Sequence, residues 1–242
     1  KNGCIKEKKP FLYYFFRIIN IAAFWLREIP RTVIRYHRSR KSEPVHPGSL
    51  VVEVTNLCNA NCVFCGYQFL NRKRMFMPMD IYKTAIKQFV ETGGGSLGLT
   101  PSVGEPLLDS LLCERVMYAR QFKEITGIYL TTNAIRLTPD LFVNLVKAGV
   151  KNFTISMSGF NADEYRRVYR TDQYKKVVEN LNRIAELPEF KECKLNISLR
   201  SDSLFPMLSK ECSQFKKSGY TISFARLFDS WSGRIREKNL PN

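Results

Sequence analysis

The chain has 242 residues and a formal charge of +16 at pH 7, with 44% hydrophobic and 12% aromatic residues. That length and apolar content suit a folded protein with one sizeable core and exclude an intrinsically disordered chain. Unless it is a scattered excess of solvated lysine, the charge favours an anionic partner: nucleic acid, an acidic membrane surface or a phosphorylated substrate.

The first part of the sequence differs from the rest, and we expect residues 1–45 to form an N-terminal helical extension. Between positions 10 and 30 the sequence is aromatic and aliphatic, but two arginines and a glutamate interrupt it. A membrane-spanning helix needs about 20 mostly apolar residues, and central arginines are costly there. The following stretch, 31–41, is densely basic. It fits either a helix packed on the next domain or an interfacial helix on an anionic membrane.

From residue 46 onward, short apolar runs alternate with helix-like segments, which predicts a second domain over 46–228 and a tail over 229–242. The six predicted strands are 50–56, 96–100, 127–133, 152–157, 194–200 and 220–228. Strands that alternate with helices over about 180 residues favour a parallel α/β sheet. Six units are fewer than the eight of a complete barrel, so a partial barrel and a doubly wound sheet both fit.

The helices predicted between these strands have a capping residue, a proline or a glycine at one end or at both. Thr138 followed by proline, and Asn161 followed three residues later by Glu164, are typical helix starts. The predicted helices run from about Asp80 to the glycines at 93–95, from Thr138 to Gly149, from Asn161, from Thr171 toward Leu187, and from near Pro206 to Gly219. In either architecture the functional residues lie at the carboxyl ends of the strands.

Three of the seven cysteines, Cys58, Cys62 and Cys65, lie within eight residues directly after the first predicted strand. Cysteines this close are poor disulfide partners and good metal ligands, which favours a reducing, cytoplasmic location. Three thiolates from one loop can hold three irons of a four-iron cluster and leave the fourth iron open. A structural zinc site is the weaker alternative. It usually needs four ligands in two pairs, and the two histidines, His37 and His46, both lie upstream.

The pattern C-x3-C-x-aromatic-C, placed after the first strand of a six-unit α/β domain, resembles the radical S-adenosylmethionine (SAM) superfamily over about residues 50–228. The resemblance implies a partial (βα)6 parallel barrel preceded by the helical extension. It also implies a [4Fe–4S] cluster on Cys58, Cys62 and Cys65, with SAM bound at the open iron and cleaved to a radical that abstracts hydrogen from a substrate. The aromatic residue of the pattern, Phe64, is then expected beside the cluster and the adenine.

The segment after the second predicted strand, 101–106, reads Pro-Ser-Val-Gly-Glu-Pro. It resembles the family's Gly-Gly-Glu-Pro motif, with Gly104 and Glu105 in place and Val103 instead of the first glycine. In that motif the glycines admit close backbone approach. The resemblance implies that Glu105 receives the methionine ammonium of SAM through a charge-assisted hydrogen bond.

The ends of the third and fourth predicted strands match the family less completely. Asn133 lies where relatives often have Thr-Asn-Gly, with Ala134 instead of the glycine. Ser156 matches the serine of a Ser-x-Asp-Gly motif near the SAM ribose, while Ser158 replaces the aspartate. A ribose contact and a local turn are equal alternatives for Ser156. We expect Arg166 to be a solvated charge rather than a ligand of the SAM carboxylate.

The end of the sequence, from residue 228 to 235, resembles the exit from the barrel in the SPASM or twitch branch of the family. Those members continue into an extension whose cysteines hold auxiliary clusters. Since no cysteine follows Cys212, residues 229–242 are either the start of such an extension in a truncated chain or a tail without it. We expect no auxiliary cluster within these residues.

The sequence therefore predicts a radical SAM enzyme, an oxidoreductase acting on a small-molecule, sugar or peptide substrate, with an electron donor such as flavodoxin or ferredoxin. Peripheral contact with an anionic membrane is a candidate property, and nucleic acid is not an expected partner. No histidine lies in the predicted barrel, which argues against an imidazole acid–base step there. No catalytic residue is identified, because nothing singles out one of the tyrosines, cysteines and serines at the strand ends. The alternatives are a non-catalytic Fe–S electron-transfer protein, which normally has a fourth cysteine, and a metal-dependent nucleic-acid-binding protein, for which no recognition motif is present.

Overall fold

The computed structural model describes residues 28–30, 33, 47–100, 102–200, 209–225, 231, 234 and 235. The chain divides into two compact units, Lys1–His46 and Pro47–Asn242. In the first unit residues 28–30 and 33 are helical, and the rest of the expected extension lies outside the described residues. The expected tail is described only at residues 231, 234 and 235. Among the helices that are described, none has the length and apolar character needed to cross a membrane.

One parallel sheet of six strands forms the second unit, and its spatial strand order equals the order in the chain. The strands are β1 Ser49–Val51, β2 Gly95–Gly98, β3 Ile125–Thr132, β4 Asn152–Met157, β5 Lys194–Leu199 and β6 Thr221–Phe224. Each crossover therefore advances by one strand in the same direction, which places the connecting helices on one face. A doubly wound sheet would reverse its order at a switch point. The order of the described strands confirms the partial barrel.

In the described part of the chain, six helices lie between these strands. They are α1 Met79–Glu91, α2 Leu112–Ala119, α3 Pro139–Ala148, α4 Ala162–Tyr169, α5 Tyr174–Ala185 and α6 Lys210–Lys217, with 3-10 turns at Gly66–Phe69, Pro106–Leu108 and Pro188–Glu192. Two expected caps are present. The Thr138 side chain accepts from the Leu141 N–H at 3.3 Å, and Asn161 accepts from the second and third N–H groups of α4 at 2.9 and 3.1 Å.

Three helices differ from the sequence prediction. Helix α6, expected from near Pro206, begins at Lys210, because the Ser209 side chain caps it by accepting from the Cys212 N–H at 3.0 Å. The helix expected after a Thr171 cap begins at Tyr174, and the preceding Gln173 makes no side-chain cap. The reason is that Arg170, at φ +52°, ends α4 in a left-handed conformation, so Thr171 belongs to the bend that follows. Helix α2 is absent from the predicted set because neither of its ends carries a signal: its N-cap is Leu111, without a side-chain bond.

Strand β1 is shorter than predicted, because the chain changes partner halfway along the apolar run. The Val52 N–H still donates to the Gly98 carbonyl at 2.8 Å, whereas Val54 accepts from the Met77 N–H at 2.8 Å. Thr55 then forms an antiparallel bridge with residue 76. The segment 75–77 thus covers the end of β1 just before the cysteine loop begins.

The core lies between the sheet and its helices. In β4, Phe153, Ile155 and Met157 are buried, and in β5 the residues 195, 197 and 199 repeat this alternation. Phe153 packs on Phe142 of α3 with ring centroids 5.1 Å apart, which identifies the helix-covered face. Because successive strand residues point to opposite faces, the other face carries residues 154, 156, 196 and 198, and these are hydroxyl or amide side chains.

A buried ion pair joins the segment after β2 to α2, and its arginine also contacts α1 and the residues before it. Arg115 on α2 is fully buried, and its Nε donates to Asp109 Oδ2 at 2.6 Å. The same guanidinium donates to the Met77 carbonyl and lies 5.1 Å from the ring centroid of Tyr82. Asp109 directly follows the 3-10 turn that Glu105 caps, so the ion pair anchors the segment carrying Glu105.

Candidate active site

The cysteine loop follows β1 at the carboxyl edge of the sheet. Cys58 and Cys65 are half-buried and Cys62 is buried. Desolvation by burial raises the pKa of the Cys58 and Cys65 thiols to about 11, and it raises the pKa of Cys62 well above its usual range. The three thiols are close enough that the charges at Cys65 and Cys58 add to the rise at Cys62. Three soft donors in a desolvated loop are the chemistry that an Fe–S cluster requires, since bound iron stabilises the thiolate form.

No three His, Cys, Asp or Glu side chains in the described ranges gather tightly enough to hold one metal ion. A single ion would draw all its thiolates to about 2.3 Å from one point. A cubane instead offers a separate iron to each thiolate, so its ligands stand farther apart. Such compactness is a requirement of a single ion and not of a cluster.

The end of helix α4 supports the cysteine loop. The Asn61 N–H donates to the Tyr169 carbonyl at 3.3 Å, and the Val63 N–H donates to the Val168 carbonyl at 2.9 Å. The last carbonyls of a helix have no partner within the helix, so these bonds satisfy both elements. They also fix the backbone between the cysteines against α4.

On its other side the loop continues into the 3-10 turn Gly66–Phe69. Cys65 caps this turn, its sulfur accepting from the Tyr67 N–H at 3.4 Å. The Trp231 indole donates to the Phe64 carbonyl at 3.1 Å and lies directly over Gly66. A Cβ at Gly66 would stand 2.5 Å from the indole ring, so only glycine permits this contact.

Phe64 is half-buried and packs edge-on against Tyr169, with ring centroids 5.6 Å apart. The Arg200 guanidinium lies 5.4 Å from the centroid of the Phe64 ring. Its charge acts on the loop, because it lowers the pKa of Cys65 against the larger effect of burial. Arg200 is not among the site residues predicted from the sequence. The signal that could have found it is the alternation in β5, which puts the residue after Leu199 on the same face as Asn196 and Ser198.

Glu105 is fully buried, and its carboxylate faces the end of β3. Oε1 accepts from the Thr132 hydroxyl at 2.6 Å and from the Leu107 N–H at 3.1 Å, while Oε2 accepts from the Asn133 N–H at 2.8 Å. Burial raises the pKa of Glu105 to about 7, and these three hydrogen bonds oppose the rise. The Glu105 N–H donates to the Leu57 carbonyl at 2.7 Å, directly before the first cysteine of the loop.

Gly104 allows the segment after β2 to approach the end of β1. Its φ is +130°, and a Cβ there would lie 2.4 Å from the Thr55 carbonyl oxygen. The neighbouring Val103, which replaces the first glycine of the motif, is buried, and its N–H donates to Glu53 at 3.4 Å. The close approach at Gly104 is therefore made to the chain itself.

Asn133 joins β3 to the cysteine loop. Its Nδ2 donates to Asn59 Oδ1 at 2.8 Å and lies 3.9 Å from the Cys58 sulfur. Its Oδ1 accepts from the Ile135 N–H at 3.0 Å, so both ends of the amide are used. Ala134, which stands where relatives have glycine, has φ +59°. This left-handed conformation costs a non-glycine residue about 1–2 kcal/mol.

Ser156 and two buried hydroxyls lie at or next to the end of β4. The Ser156 hydroxyl is 2.9 Å from the Tyr169 hydroxyl. Ser158 Oγ and Tyr165 Oη are buried and have no hydrogen-bond partner in the part of the chain that is described. A buried unpaired hydroxyl costs about 1–3 kcal/mol, which a bound group could recover. Arg166 instead is exposed and pairs with two surface aspartates, as expected for a solvated charge.

The structure thus brings together Cys58, Cys62, Cys65, Phe64, Glu105 and Asn133, with Gly104 behind them and Ser156 joined to them through Tyr169. Comparison with known proteins bears on the family and the fold. A model of the radical SAM superfamily matches residues 52–199. Proteins named GTP 3′,8-cyclase from Lactiplantibacillus plantarum and Pseudomonas fluorescens are 30% and 31% identical over 152 and 153 residues, which is 61% of this chain and 44% of each relative.

The chain therefore spans about half the length of the curated relatives it matches. Among solved structures, Streptococcus suis SuiB bound to the precursor peptide SuiA has a TM-score of 0.63 at 16% identity. That alignment covers 100% of this chain and 50% of SuiB. At this identity the likeness concerns the fold.

Proposed function

This chain belongs to the radical SAM superfamily, and from that membership we propose that it is an enzyme whose Cys58, Cys62 and Cys65 hold the [4Fe–4S] cluster. The family uses this cluster together with SAM. When bound, the two supply hydrogen-atom abstraction driven by one electron. The observation behind the proposal is the loop after β1, which offers three desolvated thiols. One of them, Cys58, lies 3.9 Å from Asn133 Nδ2 and near enough to the buried Glu105 for the carboxylate to raise its pKa.

We propose that the Glu105 carboxylate binds the methionine ammonium group of SAM. A carboxylate has about four lone-pair positions, and three of those on Glu105 accept from Thr132, Leu107 and Asn133. An ammonium at the remaining position of Oε2 would make a charge-assisted bond to a buried carboxylate. Because burial raises the pKa of Glu105 to about 7, an adjacent cation would also restore the ionised form.

The remaining SAM contacts are assigned by position. Phe64 is beside the cluster loop and is proposed to pack against the adenine. Ser156 is proposed to contact the ribose. Ser158 is a second candidate for the ribose contact, because its hydroxyl is buried and has no hydrogen-bond partner among the described residues. Asn133 holds the loop at Cys58, and Gly104 allows the Glu105 segment to lie close to it.

We propose that the enzyme abstracts hydrogen from a small molecule, sugar or peptide. GTP is the small molecule suggested by the names of the sequence relatives, and a peptide is suggested by the precursor peptide that SuiB binds. The charge of +16 favours a negatively charged electron donor such as flavodoxin or ferredoxin, because opposite charges accelerate encounter.

Contact with an anionic membrane is a separate proposal that concerns residues 1–41. Of these, Ile29 and Val33 are helical and about half exposed. Flotation with anionic vesicles should recover the full chain at the lipid layer and should leave a 1–41 deletion at the bottom. Equal flotation of the two proteins would refute the membrane proposal.

The enzyme proposal is tested by anaerobic reconstitution with iron and sulfide, followed by dithionite and SAM. We expect 5′-deoxyadenosine by mass spectrometry in the wild type and none after Cys58→Ala, Cys62→Ala or Cys65→Ala. Cys113→Ala is the matched control: this thiol is also half-buried but lies on α2, and we expect full activity. A loaded cluster without a SAM-induced spectral change or deoxyadenosine would favour an electron-transfer protein instead.

A further inference from the structure

The face of the sheet opposite the helices is polar from β4 to β6. Register pairs Thr154 with Asn196 and Asn196 with Thr221, while Ser156 pairs with Ser198 and Ser198 with Ser223. Residues paired in register lie on the same face. We call this set the hydroxyl face: Thr154, Ser156, Asn196, Ser198, Thr221 and Ser223. The residues between them in β4 and β5 are buried and apolar, whereas all six are half-buried or exposed.

This composition is unusual for a parallel sheet. Such sheets are normally covered on both faces and read as nearly continuous apolar runs. The inward side chains of closed barrels are mostly branched aliphatic residues. Six neutral polar side chains over three strands supply no apolar packing, so a role in the core does not explain them. Binding of a polar ligand does.

The hydroxyl face is already partly ordered by its own hydrogen bonds. Asn196 Nδ2 donates to the Ser223 hydroxyl at 2.8 Å, and the Thr221 hydroxyl lies 3.2 Å from Asn196 Oδ1. The hydroxyls of Thr154 and Ser198 make no side-chain hydrogen bond to any described residue. A hydroxyl can donate one bond and accept two. Both groups can therefore bind ligand hydroxyls as donor or as acceptor.

Charge on these three strands occurs only at the ends of the face. Lys194 precedes Asn196 at the amino end of β5, and Arg200 follows Ser198 at the carboxyl end, where it lies over Phe64. Between these two cations the described residues of the face are neutral. A triphosphate lying along the face would have its negative charges largely unpaired, which is costly away from water. A neutral ligand with many hydroxyls has no such penalty.

We propose that the substrate presents a neutral, polyhydroxylated ring or chain, of the sugar or cyclitol class, to the hydroxyl face beyond Ser156, which is assigned to the SAM ribose. This rests on the proposed function, because the carboxyl end of the face adjoins the proposed cluster loop through Ser156, Tyr169 and Phe64. The carbon–hydrogen bonds of such a ligand would then lie on the side of the sheet where the radical is formed. GTP and peptide substrates are the outcomes that the test separates from it.

The experiment uses the reconstituted full chain with SAM. Saturation-transfer difference NMR is recorded with methyl α-D-glucopyranoside, myo-inositol, GTP and the tripeptide Gly-Ser-Gly, each at millimolar concentration. We expect signals from at least one of the two polyols and none from GTP or the peptide. The Thr154→Val/Ser198→Ala double variant should weaken polyol binding about tenfold, the loss of two neutral hydrogen bonds. Thr84→Val is the matched control, because Thr84 is exposed on α1, and it should bind as the wild type does.

Three outcomes overturn the inference: no polyol binding, polyol binding unchanged in the double variant, or GTP or peptide binding that the double variant abolishes. Iron content and deoxyadenosine formed with dithionite and SAM alone are measured on the same samples. If these are normal while polyols do not bind, the substrate class is wrong and the proposed function stands. If these fail in the wild type, the proposed function itself fails. Should the double variant lose iron, Ser198→Ala alone replaces it.

Discussion

The buried Arg115–Asp109 pair provides a sharp test of how the segment carrying Glu105 is held. We expect Arg115→Met to lower the free energy of unfolding by about 3–5 kcal/mol, the usual result of removing one partner from a buried ion pair. The two side chains are 0% and 2% exposed. Without Arg115, the Asp109 carboxylate keeps, among the described residues, only the backbone N–H of Leu111 as a donor, at 3.0 Å. The contact between Arg115 and the Tyr82 ring is also removed, and its contribution is included in the expected 3–5 kcal/mol.

The matched double variant distinguishes the contribution of charge to stability from that of packing. Asp109→Leu/Arg115→Met removes both charges, and we expect it to be within about 1–2 kcal/mol of the wild type because no unpaired charge remains. Lys151→Met is the control for an ion pair in water, since Lys151 and Glu192 are 48% and 57% exposed. Such pairs contribute at most about 1 kcal/mol.

Urea unfolding of the four proteins, followed by circular dichroism, gives these differences from the midpoints if the slopes agree. The reasoning is refuted if Arg115→Met costs no more than Lys151→Met. It is also refuted if the double variant is as unstable as Arg115→Met, because packing rather than charge would then dominate. A functional consequence is expected in parallel: SAM binding by the reconstituted Arg115→Met protein should weaken, because Glu105 begins the segment that Asp109 anchors.

Three other predictions concern the site. In the metal-free protein, the wild type should lose stability relative to Glu105→Gln as the pH rises from about 5 to 8. Burial raises the pKa of Glu105 from 4.5 to about 7, so the folded state holds the proton to a higher pH than the unfolded state does. The shift corresponds to about 3 kcal/mol, and equal pH dependence of the two proteins in urea unfolding would contradict it. Arg200→Gln should lower the reduction potential of the cluster by on the order of tens of millivolts, because the guanidinium over Phe64 favours the reduced, more negative state. The shift should be smaller at high salt. An EPR-monitored redox titration with no shift would disprove this. Gly66→Ala should displace the Trp231 indole, since the new Cβ would lie 2.5 Å from its ring, and should lower the free energy of unfolding by about 1–3 kcal/mol. Tryptophan emission, recorded with the other tryptophan replaced, should move to longer wavelength. An unchanged spectrum would show that the contact is not made.

The strand ends are joined to one another by a short series of hydrogen bonds, which bears on how the cluster and SAM sites are coupled. The Glu105 N–H binds the carbonyl before Cys58, the Glu105 carboxylate binds Thr132 and Asn133, and Asn133 returns to the cysteine loop. Each bond joins a different pair of segments. Displacing one segment therefore displaces the thiols relative to the carboxylate.

Much of this could be predicted from local sequence. Six strands, the partial barrel that the family resemblance implied and the caps at Thr138 and Asn161 are all found, because apolar periodicity and capping depend on neighbours within a few residues. The position of the cysteines after the first predicted strand likewise placed them in the loop that follows β1. Helix α2 lacked such local signals, and it was missed.

The tertiary structure decided what lies between segments distant in sequence. Asn133 approaches Cys58 across 75 positions, and Trp231 reaches Phe64 across 167. Those contacts depend on sheet curvature and crossover geometry, which no local pattern encodes. The same is true of Arg200, whose place over the Phe64 ring follows from the position of β5 relative to the cysteine loop. The sequence by itself determined which chemical groups are present and which strand ends carry them. Only the packing of the sheet and its helices decided which of those groups face one another.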